Sequence, residues 1–173
     1  MTSLTHADRI LKVNHAGEHG AVNIYRGQRL SCFWRDDALK RELDEFRAHE
    51  ERHRAIFAAE LARRGVRRCR SYRLCGLGGF MLGLATGICG RASIAAVTVA
   101  VERVVLRHLE RQLRELDGVD PAAHAAVASI IDDERAHLDH AAQEPRQGIF
   151  WPRILRPAVS AATEFVIWTG MKL

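Results

Sequence analysis

The sequence predicts an all-α protein built on a four-helix bundle. The chain of 173 residues contains only four prolines, and apolar residues recur at helical spacing in four long segments. These tracts are rich in alanine, leucine, valine and arginine and leave little room for strand alternation. At 47% hydrophobic and 27% charged residues, the chain suits one globular domain over residues 1–173 with a substantial core.

The four bundle helices are predicted in order along the chain. Their approximate bounds are 5–33, 36–64, 92–116 and 121–142, and Pro121 is a favourable first residue for the last of them. Long amphipathic helices of this number usually pack side by side around one core. The connections between them then carry whatever else the chain adds to the bundle.

Two apolar segments are predicted additions to the bundle. Residues 71–91 form an insert between the second and third helices, and its part 74–90 has six glycines and no charged residue. Glycines at four-residue spacing in this insert predict either close packing against another helix or contact with lipid. Its 17 uncharged residues are short for a membrane span. Residues 153–173 predict an extra C-terminal helix.

Basic residues crowd around the insert. The net charge of +5 is almost entirely due to arginine, and six arginines precede the uncharged part 74–90 of the insert while a seventh follows it. Basic side chains beside an apolar segment predict contact with an anionic membrane surface. A buried hairpin with a solvated basic loop is the alternative. The seven residues are Arg63, Arg64, Arg67, Arg68, Arg70, Arg73 and Arg91.

Polar residues interrupt the inward seam of two predicted helices. In the second helix the seam is apolar except at Glu50 and His53, which lie on consecutive turns. In the fourth helix the same seam position carries Glu134 and His137. Each helix therefore places a Glu-x-x-His pair where core residues are expected.

The first and third helices carry one acid each on their seams. These acids are Glu18 and Glu102, and each is followed 32 residues later by the glutamate of a Glu-x-x-His pair. Equivalent residues of the two sets lie 84 residues apart. The chain is therefore predicted to be an internal repeat of 5–64 and 92–142.

Four carboxylates that converge in one core predict a metal centre. Burial of an ionised carboxylate costs several kcal/mol unless it is paired or coordinated. Four carboxylates with two imidazoles suit two iron or manganese ions better than zinc. One Glu from each of two helices and Glu-x-x-His from the other two is the ligand pattern of ferritin-like di-iron proteins. The predicted ligands are Glu18, Glu50, His53, Glu102, Glu134 and His137.

Other histidines and one tyrosine are assigned lesser roles. His108, two turns after Glu102, is predicted to orient a ligand from outside the metal centre. Tyr25, on the seam of Glu18, either fills the core or reaches a substrate cavity. The remaining histidines are predicted to lie on the surface, and they are His15, His19, His49, His124 and His140.

Four segments resemble the demethoxyubiquinone hydroxylase family, the di-iron monooxygenases of late ubiquinone biosynthesis. They read VNHAGEHGAVNIYRGQ, HEERH, AVTVAVERVVLRHLERQL and DDERAH, and the likeness covers nearly the whole chain. The resemblance implies the same six iron ligands. It also implies hydroxylation by O2 of the ring of a 2-polyprenyl-3-methyl-6-methoxy-benzoquinol, with two electrons from NADH, directly or through a quinone.

The resemblance also implies partners and a location. We expect a homo-oligomer that meets the membrane through the 71–91 insert, contacts other ubiquinone-biosynthesis proteins and binds no nucleic acid. The N-terminus has no signal or transit pattern, and we expect a protein peripheral to the cytoplasmic side of a bacterial membrane, or to the matrix side of the inner membrane in a mitochondrion. Leu109 departs from the family, because eukaryotic members typically have tyrosine there.

Two alternative functions share the metal site. A ferritin-like or rubrerythrin-like protein that oxidises iron or removes peroxide would explain the ligands, but not the glycine-rich insert. The four cysteines form no CxxC pair, so the rubredoxin-type iron site of rubrerythrin is not indicated. A di-iron hydroxylase of tRNA would use the arginines as phosphate contacts, but few aromatic residues near them could stack on bases.

Overall fold

The protein is all-helical over the residues that the computed structural model describes, which are 4–32, 37–144 and 149–172. The bundle with an inserted helix and a C-terminal helix agrees with the predicted fold class. The last residue of the first predicted helix and the first of the second lie outside the described residues. The helices are α1 (His6–Ser31), α2 (Asp37–Arg63), α3 (Tyr72–Ile88), α4 (Arg91–Leu116), α5 (Pro121–Ala128), α6 (Ile131–Ala142) and α7 (Phe150–Lys172).

Two apolar clusters divide the core along the bundle axis. On α1, Leu11 belongs to one cluster and Tyr25 to the other, and Glu18 lies midway between them. On α2, Leu43 and Phe57 belong to the two clusters in the same way and enclose the Glu-x-x-His pair. The predicted ligands therefore form a polar layer with an apolar cluster above it and another below.

Local hydrogen bonds define where two of the bundle helices begin. Thr5 caps α1 by accepting from the backbone of Asp8 at 3.1 Å, and the Asp8 carboxylate accepts from the backbone of Thr5 in return at 2.9 Å. The Asp120 carboxylate caps α5, which begins at Pro121 as predicted. Arg64, at the end of α2, donates to Asp120 at 2.7 Å and fastens the start of α5 to the bundle.

The prediction of one continuous helix over 121–142 is wrong, because the chain breaks into α5 and α6 at Ser129 and Ile130. The Ser129 hydroxyl donates to the carbonyl of Ala126 at 2.9 Å, a local bond that competes with helical geometry. The backbone of Ile130 turns tightly and donates to Val127 three residues back at 3.4 Å. As a result, Glu134 lies in the first turn of a new helix, where the helix dipole favours a carboxylate.

The glycine-rich insert forms α3, which packs closely along α1. A side chain at Gly83 would collide with the carbonyl of Ile24, and one at Gly79 would collide with the backbone of Gly20. On α1, a side chain at Gly27 would meet the backbone of α3. The glycines of both helices therefore allow direct backbone contact, which is one of the two predicted outcomes.

Substitution of Gly83 with alanine is expected to destabilise the protein. The added methyl group would force α3 away from α1, and we expect the free energy of unfolding to fall by about 1–3 kcal/mol. Gly78 on the same helix is the matched control, because it is exposed and has open space around its Cα. Gly78→Ala is expected to raise the unfolding free energy by about 0.5–1 kcal/mol. Urea unfolding followed by circular dichroism measures both, and equal effects would contradict the contact between α1 and α3.

The outer sides of α3 and α7 present apolar side chains to solvent. On α3, Leu74, Leu77 and Met81 are 70%, 62% and 56% exposed, and on α7 Phe165 and Trp168 are 64% and 56% exposed. Their inner sides meet over α1 and α4 in one apolar cluster. Among the described residues, no helix combines the length and hydropathy needed to cross a membrane.

Candidate metal centre

The structure brings all six predicted ligands together in the polar layer of the bundle. Helices α1 and α4 each contribute one glutamate, and α2 and α6 each contribute a glutamate and a histidine three residues later. Every one of these side chains is at most 5% exposed. They are Glu18 from α1, Glu50 and His53 from α2, Glu102 from α4, and Glu134 and His137 from α6.

The ligand atoms form two overlapping groups. Within each group of four residues, the candidate ligand atoms lie within 4.8 Å of one another, as a single metal ion requires. Glu50 and Glu134 belong to both groups. Glu18 and His53 complete the first group, and Glu102 and His137 complete the second. This arrangement could hold two neighbouring ions with Glu50 and Glu134 shared between them.

Both histidines direct the same ring nitrogen at the shared carboxylates. His53 Nδ1 lies 2.9 Å from Glu134 Oε1 and 3.5 Å from Glu50 Oε2. His137 Nδ1 lies 3.1 Å from Glu50 Oε1 and 3.8 Å from Glu134 Oε2. Each Nδ1 and several of the carboxylate oxygens are buried without a hydrogen bond of good geometry. Buried nitrogen and oxygen atoms without hydrogen-bond partners are suitable metal ligands, and their number here fits a pair of cations.

The pKa values of the cluster reflect burial and repulsion between its carboxylates. Burial raises the pKa of Glu18 and of Glu102 well above the usual value, and the charges of Glu134 and Glu50 raise it further. Burial lowers the pKa of His53, but contacts with Glu134 and Glu50 outweigh it and raise this pKa to about 10. Without metal, the cluster therefore retains protons, and these protons supply the positive charge that metal ions would otherwise supply. Metal binding would release such protons.

Residues outside the cluster hold the far nitrogen of each histidine. Asp133 Oδ2 lies 3.0 Å from His53 Nε2, and His49 Nδ1 lies 3.1 Å from His137 Nε2. A carboxylate or another partner on the outer nitrogen fixes the orientation of a metal-binding imidazole. Sequence reasoning did not identify Asp133, and it assigned His49 to the surface, whereas His49 is half-buried.

The signal for these two residues is present in the repeat. His49 and Asp133 each directly precede the glutamate of a Glu-x-x-His pair, and they are separated by the same 84 residues as the ligands. Each contacts the histidine of the opposite repeat. A comparison of the residues directly before the two Glu-x-x-His pairs would therefore have found both.

The other predicted roles meet mixed outcomes. The surface prediction is wrong for His15, which is 8% exposed and packs on the ring of Tyr72 with a centroid distance of 4.8 Å. His19 is half-buried and stacks on the same ring at 3.9 Å. His124 is also half-buried, while His140 is exposed as predicted.

His108 links α4 to α7. Its Nε2 lies 2.7 Å from Glu164 on α7 and its Nδ1 lies 2.9 Å from Arg111. Both ring nitrogens therefore have partners outside the cluster, and the role of orienting a ligand stays a prediction. Leu109 is 2% exposed and fills the apolar core.

Two openings approach the polar layer from different sides. The first is a polar cleft of about 320 Å³, counting its open mouth, and its lining includes Glu42, Arg91 and Glu144. The second is an apolar cavity of about 200 Å³ between α1 and α4, again counting its opening. Thr98 lines both of them, and Glu102 lines the apolar cavity. The apolar cavity thus adjoins Glu102, one of the predicted ligands.

Comparisons with known proteins identify the family of the chain. The family model described as ubiquinone biosynthesis protein COQ7 matches residues 5–170. The chain is 36% identical to a 3-demethoxyubiquinol 3-hydroxylase of Ralstonia pickettii, across 99% of this chain and 80% of the relative. It is 33% identical to a protein of the same name in Rhodospirillum rubrum, across 96% of this chain and 78% of the relative.

A eukaryotic relative is similar over most of its length as well. The chain is 31% identical to the mitochondrial NADPH-dependent 3-demethoxyubiquinone 3-hydroxylase of Mus musculus, across 90% of this chain and 74% of the relative. The family match and these alignments extend over nearly all of the sequence. The chain therefore belongs to the family of ubiquinone biosynthesis protein COQ7.

Proposed function

We propose that this protein is a di-iron hydroxylase that uses O2 to add a hydroxyl group to the ring of 3-demethoxyubiquinol. The observation that carries the proposal is the pair of overlapping ligand groups that share Glu50 and Glu134. Two iron ions held there would supply the redox chemistry that activates O2 for hydroxylation. The names of the bacterial relatives support the choice of substrate.

The residues of the chain have distinct tasks in this proposal. Glu50 and Glu134 belong to both ligand groups and would help to hold both ions, whereas the four other residues would each help to hold one. Asp133 and His49 hold the two histidines in the orientation that presents Nδ1 to the metal. The apolar clusters on either side of the layer keep bulk water away from the centre.

The apolar cavity is the proposed route for the substrate. Ile24 and Val101 of its lining belong to an apolar cluster that also contains Leu82 of α3 and Leu155 of α7. A polyprenyl tail requires apolar surroundings along its whole length. We therefore place the tail under α3 and α7 and the ring at the inner end of the cavity, beside Glu102.

The exposed sides of α3 and α7 are the proposed contact with a membrane surface. Arg67, Arg70 and Arg73 are exposed just before Leu74 and Leu77, so positive charge adjoins the apolar stripe. Each such arginine contributes on the order of 1 kcal/mol at an anionic surface. The location that follows is peripheral to the cytoplasmic side of a bacterial membrane, or to the matrix side in a mitochondrion.

A reduced nicotinamide nucleotide is the proposed source of electrons. The sequence resemblance implies NADH, whereas the relatives from Dictyostelium discoideum and Mus musculus are named as NADPH-dependent. The assay below therefore supplies each nucleotide separately. Neither alternative function gains a specific observation from the structure.

Isotope labelling tests the proposed hydroxylation directly. The purified chain, reconstituted with ferrous iron without oxygen, is given short-tailed 3-demethoxyubiquinol, NADH or NADPH, and ¹⁸O2. We expect a product with one added ¹⁸O atom, found by mass spectrometry. We also expect about two irons per chain, because six buried ligands form two groups.

Two results would contradict this proposal. An iron-loaded protein that consumes ferrous iron or peroxide, but leaves the quinol unchanged, would favour a ferritin-like or rubrerythrin-like function. A content of one zinc per chain, or no metal after reconstitution, would contradict the di-iron centre itself. The assay in ¹⁸O-labelled water with ordinary O2 is the control, and it should leave the product unlabelled.

A further inference from the structure

Two residues that carry hydroxyl groups line the apolar cavity beside Glu102. Four of the seven lining residues are Ala21, Ile24, Val97 and Val101, which offer only apolar surface. Tyr25 and Thr98 supply the hydroxyls. The cavity is therefore apolar along its walls and polar at one place.

The two side chains are fixed in position. Tyr25 is 2% exposed and Thr98 is 4% exposed, and both line the cavity. The ring of Tyr25 packs edge-on against Phe46 with a centroid distance of 5.6 Å and lies 6.4 Å from His137. Packing on several sides leaves the phenol little freedom to turn away from the cavity.

Thr98 and Tyr25 each share a helix face with one of the predicted ligands. Thr98 lies one turn before Glu102 on α4, so the two share a face of that helix. Tyr25 lies two turns after Glu18 on α1, again on the same face. The hydroxyl pair therefore occupies the edge of the polar layer, between the cavity and the ligands.

The two hydroxyls have hydrogen-bonding capacity to offer a ligand. Each hydroxyl has one donor hydrogen and two acceptor lone pairs. A polar group of a ligand in the cavity can use them, and a polar group buried without such a partner would be costly.

We propose that Tyr25 and Thr98 position the ring of the quinol. Their hydroxyls hold a ring hydroxyl of the substrate at the inner end of the apolar cavity, so that the ring carbon to be hydroxylated faces the centre beside Glu102. The apolar walls hold the rest of the ring and the start of the tail. This inference rests on the proposed function and adds the residues that orient its substrate.

Kinetics of the iron-loaded full chain test this assignment. With short-tailed 3-demethoxyubiquinol, Tyr25→Phe and Thr98→Val should each raise KM about three- to tenfold, the equivalent of one neutral hydrogen bond. Both should also consume more O2 than they convert to hydroxylated product. Thr98→Ser restores the hydroxyl and should behave like the unchanged chain.

Two further variants make the test specific. The double variant should be little worse than either single variant, since the two hydroxyls act as one unit. Tyr72→Phe is the matched control, because Tyr72 is the other tyrosine of the chain and lies on α3, outside the cavity lining. Its KM and its ratio of product to O2 should be unchanged, and iron content should stay the same in every variant.

The outcomes separate this inference from the proposed function. If the unchanged chain hydroxylates the quinol but Thr98→Val and Thr98→Ser have the same KM and the same product ratio, the positioning role is wrong and the proposed function stands. If Tyr25→Phe loses iron or folds poorly, the comparison of Thr98→Val with Thr98→Ser still decides. If the unchanged chain does not hydroxylate the quinol, both fail together.

Discussion

Replacement of Glu102 or His137 with alanine is expected to abolish hydroxylation while the bundle stays helical. Each residue belongs to one of the two ligand groups, so its loss leaves three donors at that metal position. Loss of a partner that only orients a ligand typically costs 10–100-fold in activity or metal affinity. We therefore expect loss of a ligand to reduce turnover by more than about 100-fold, as measured with the ¹⁸O2 assay and by iron content.

In the metal-free protein, loss of the Glu102 carboxylate should increase thermal stability. Burial, and then Glu134 and Glu50, raise the pKa of Glu102 above its usual value of 4.5. A raised pKa means that the folded state loses stability relative to the unfolded chain as pH rises above 4.5. Metal-free Glu102→Gln should consequently unfold at a higher temperature than the unchanged chain at pH 7, and this gain should vanish below pH 4.5.

A neighbouring glutamate provides the control for these variants. Glu110 lies two turns further along α4, where its half-exposed carboxylate is 3.5 Å from Arg135. Glu110→Ala should keep normal turnover and two irons. Near-normal turnover in Glu102→Ala or His137→Ala would show that the residue concerned is not a ligand.

Serine at Leu74, Leu77 and Met81 together is expected to release the protein from membranes. These side chains form the exposed stripe of α3 and contribute little to packing on α1. If each contributes about 1 kcal/mol to lipid binding, association with anionic liposomes should weaken by about 100-fold. Turnover of long-tailed quinol should fall with it, while a short-tailed, water-soluble analogue is still hydroxylated. Phe80 and Leu84 are half-buried, so we leave them unchanged.

Salt and a control variant complete this experiment. The residual binding should weaken with salt, because the exposed arginines before α3 act through charges that are screened within about 10 Å at 0.1 M. Val119→Ser alters an apolar side chain that is 74% exposed in the turn before α5, and it should bind liposomes normally. Equal loss of activity on both substrates, with liposome binding intact, would show that α3 is structural and that the tail reaches the centre elsewhere.

The periodicity of the sequence predicted most of the bundle, because an amphipathic helix records its buried face in the spacing of its apolar residues. It did not predict the break at Ser129 and Ile130. The residues around the break are alanine-rich and favour a helix. The turn depends on a hydrogen bond of the Ser129 hydroxyl and on packing of Ile130 in the core, and neither leaves a periodic signal.

The convergence of the six predicted ligands could be expected from the sequence, because a carboxylate in a core seam needs a positive partner. Surface histidines had no comparable signal. His15 was misassigned because α3 covers the side of α1 that a simple bundle would leave open, and Tyr72 of α3 buries its ring. The spacing of apolar residues in one helix does not show whether an inserted helix packs on its outer side.

The two histidines of the candidate metal centre have chemically different partners on their outer nitrogens. His53 and His137 are equivalent in the repeat, yet the outer nitrogen of His53 meets the carboxylate of Asp133, while that of His137 meets the imidazole of His49. A carboxylate partner makes an imidazole a stronger electron donor, and an imidazole partner brings no negative charge. If both histidines bind metal, the ion held by His53 would therefore have the more electron-rich imidazole. A single acid, Asp133, would thus give a predicted duplicated ligand set two different ends.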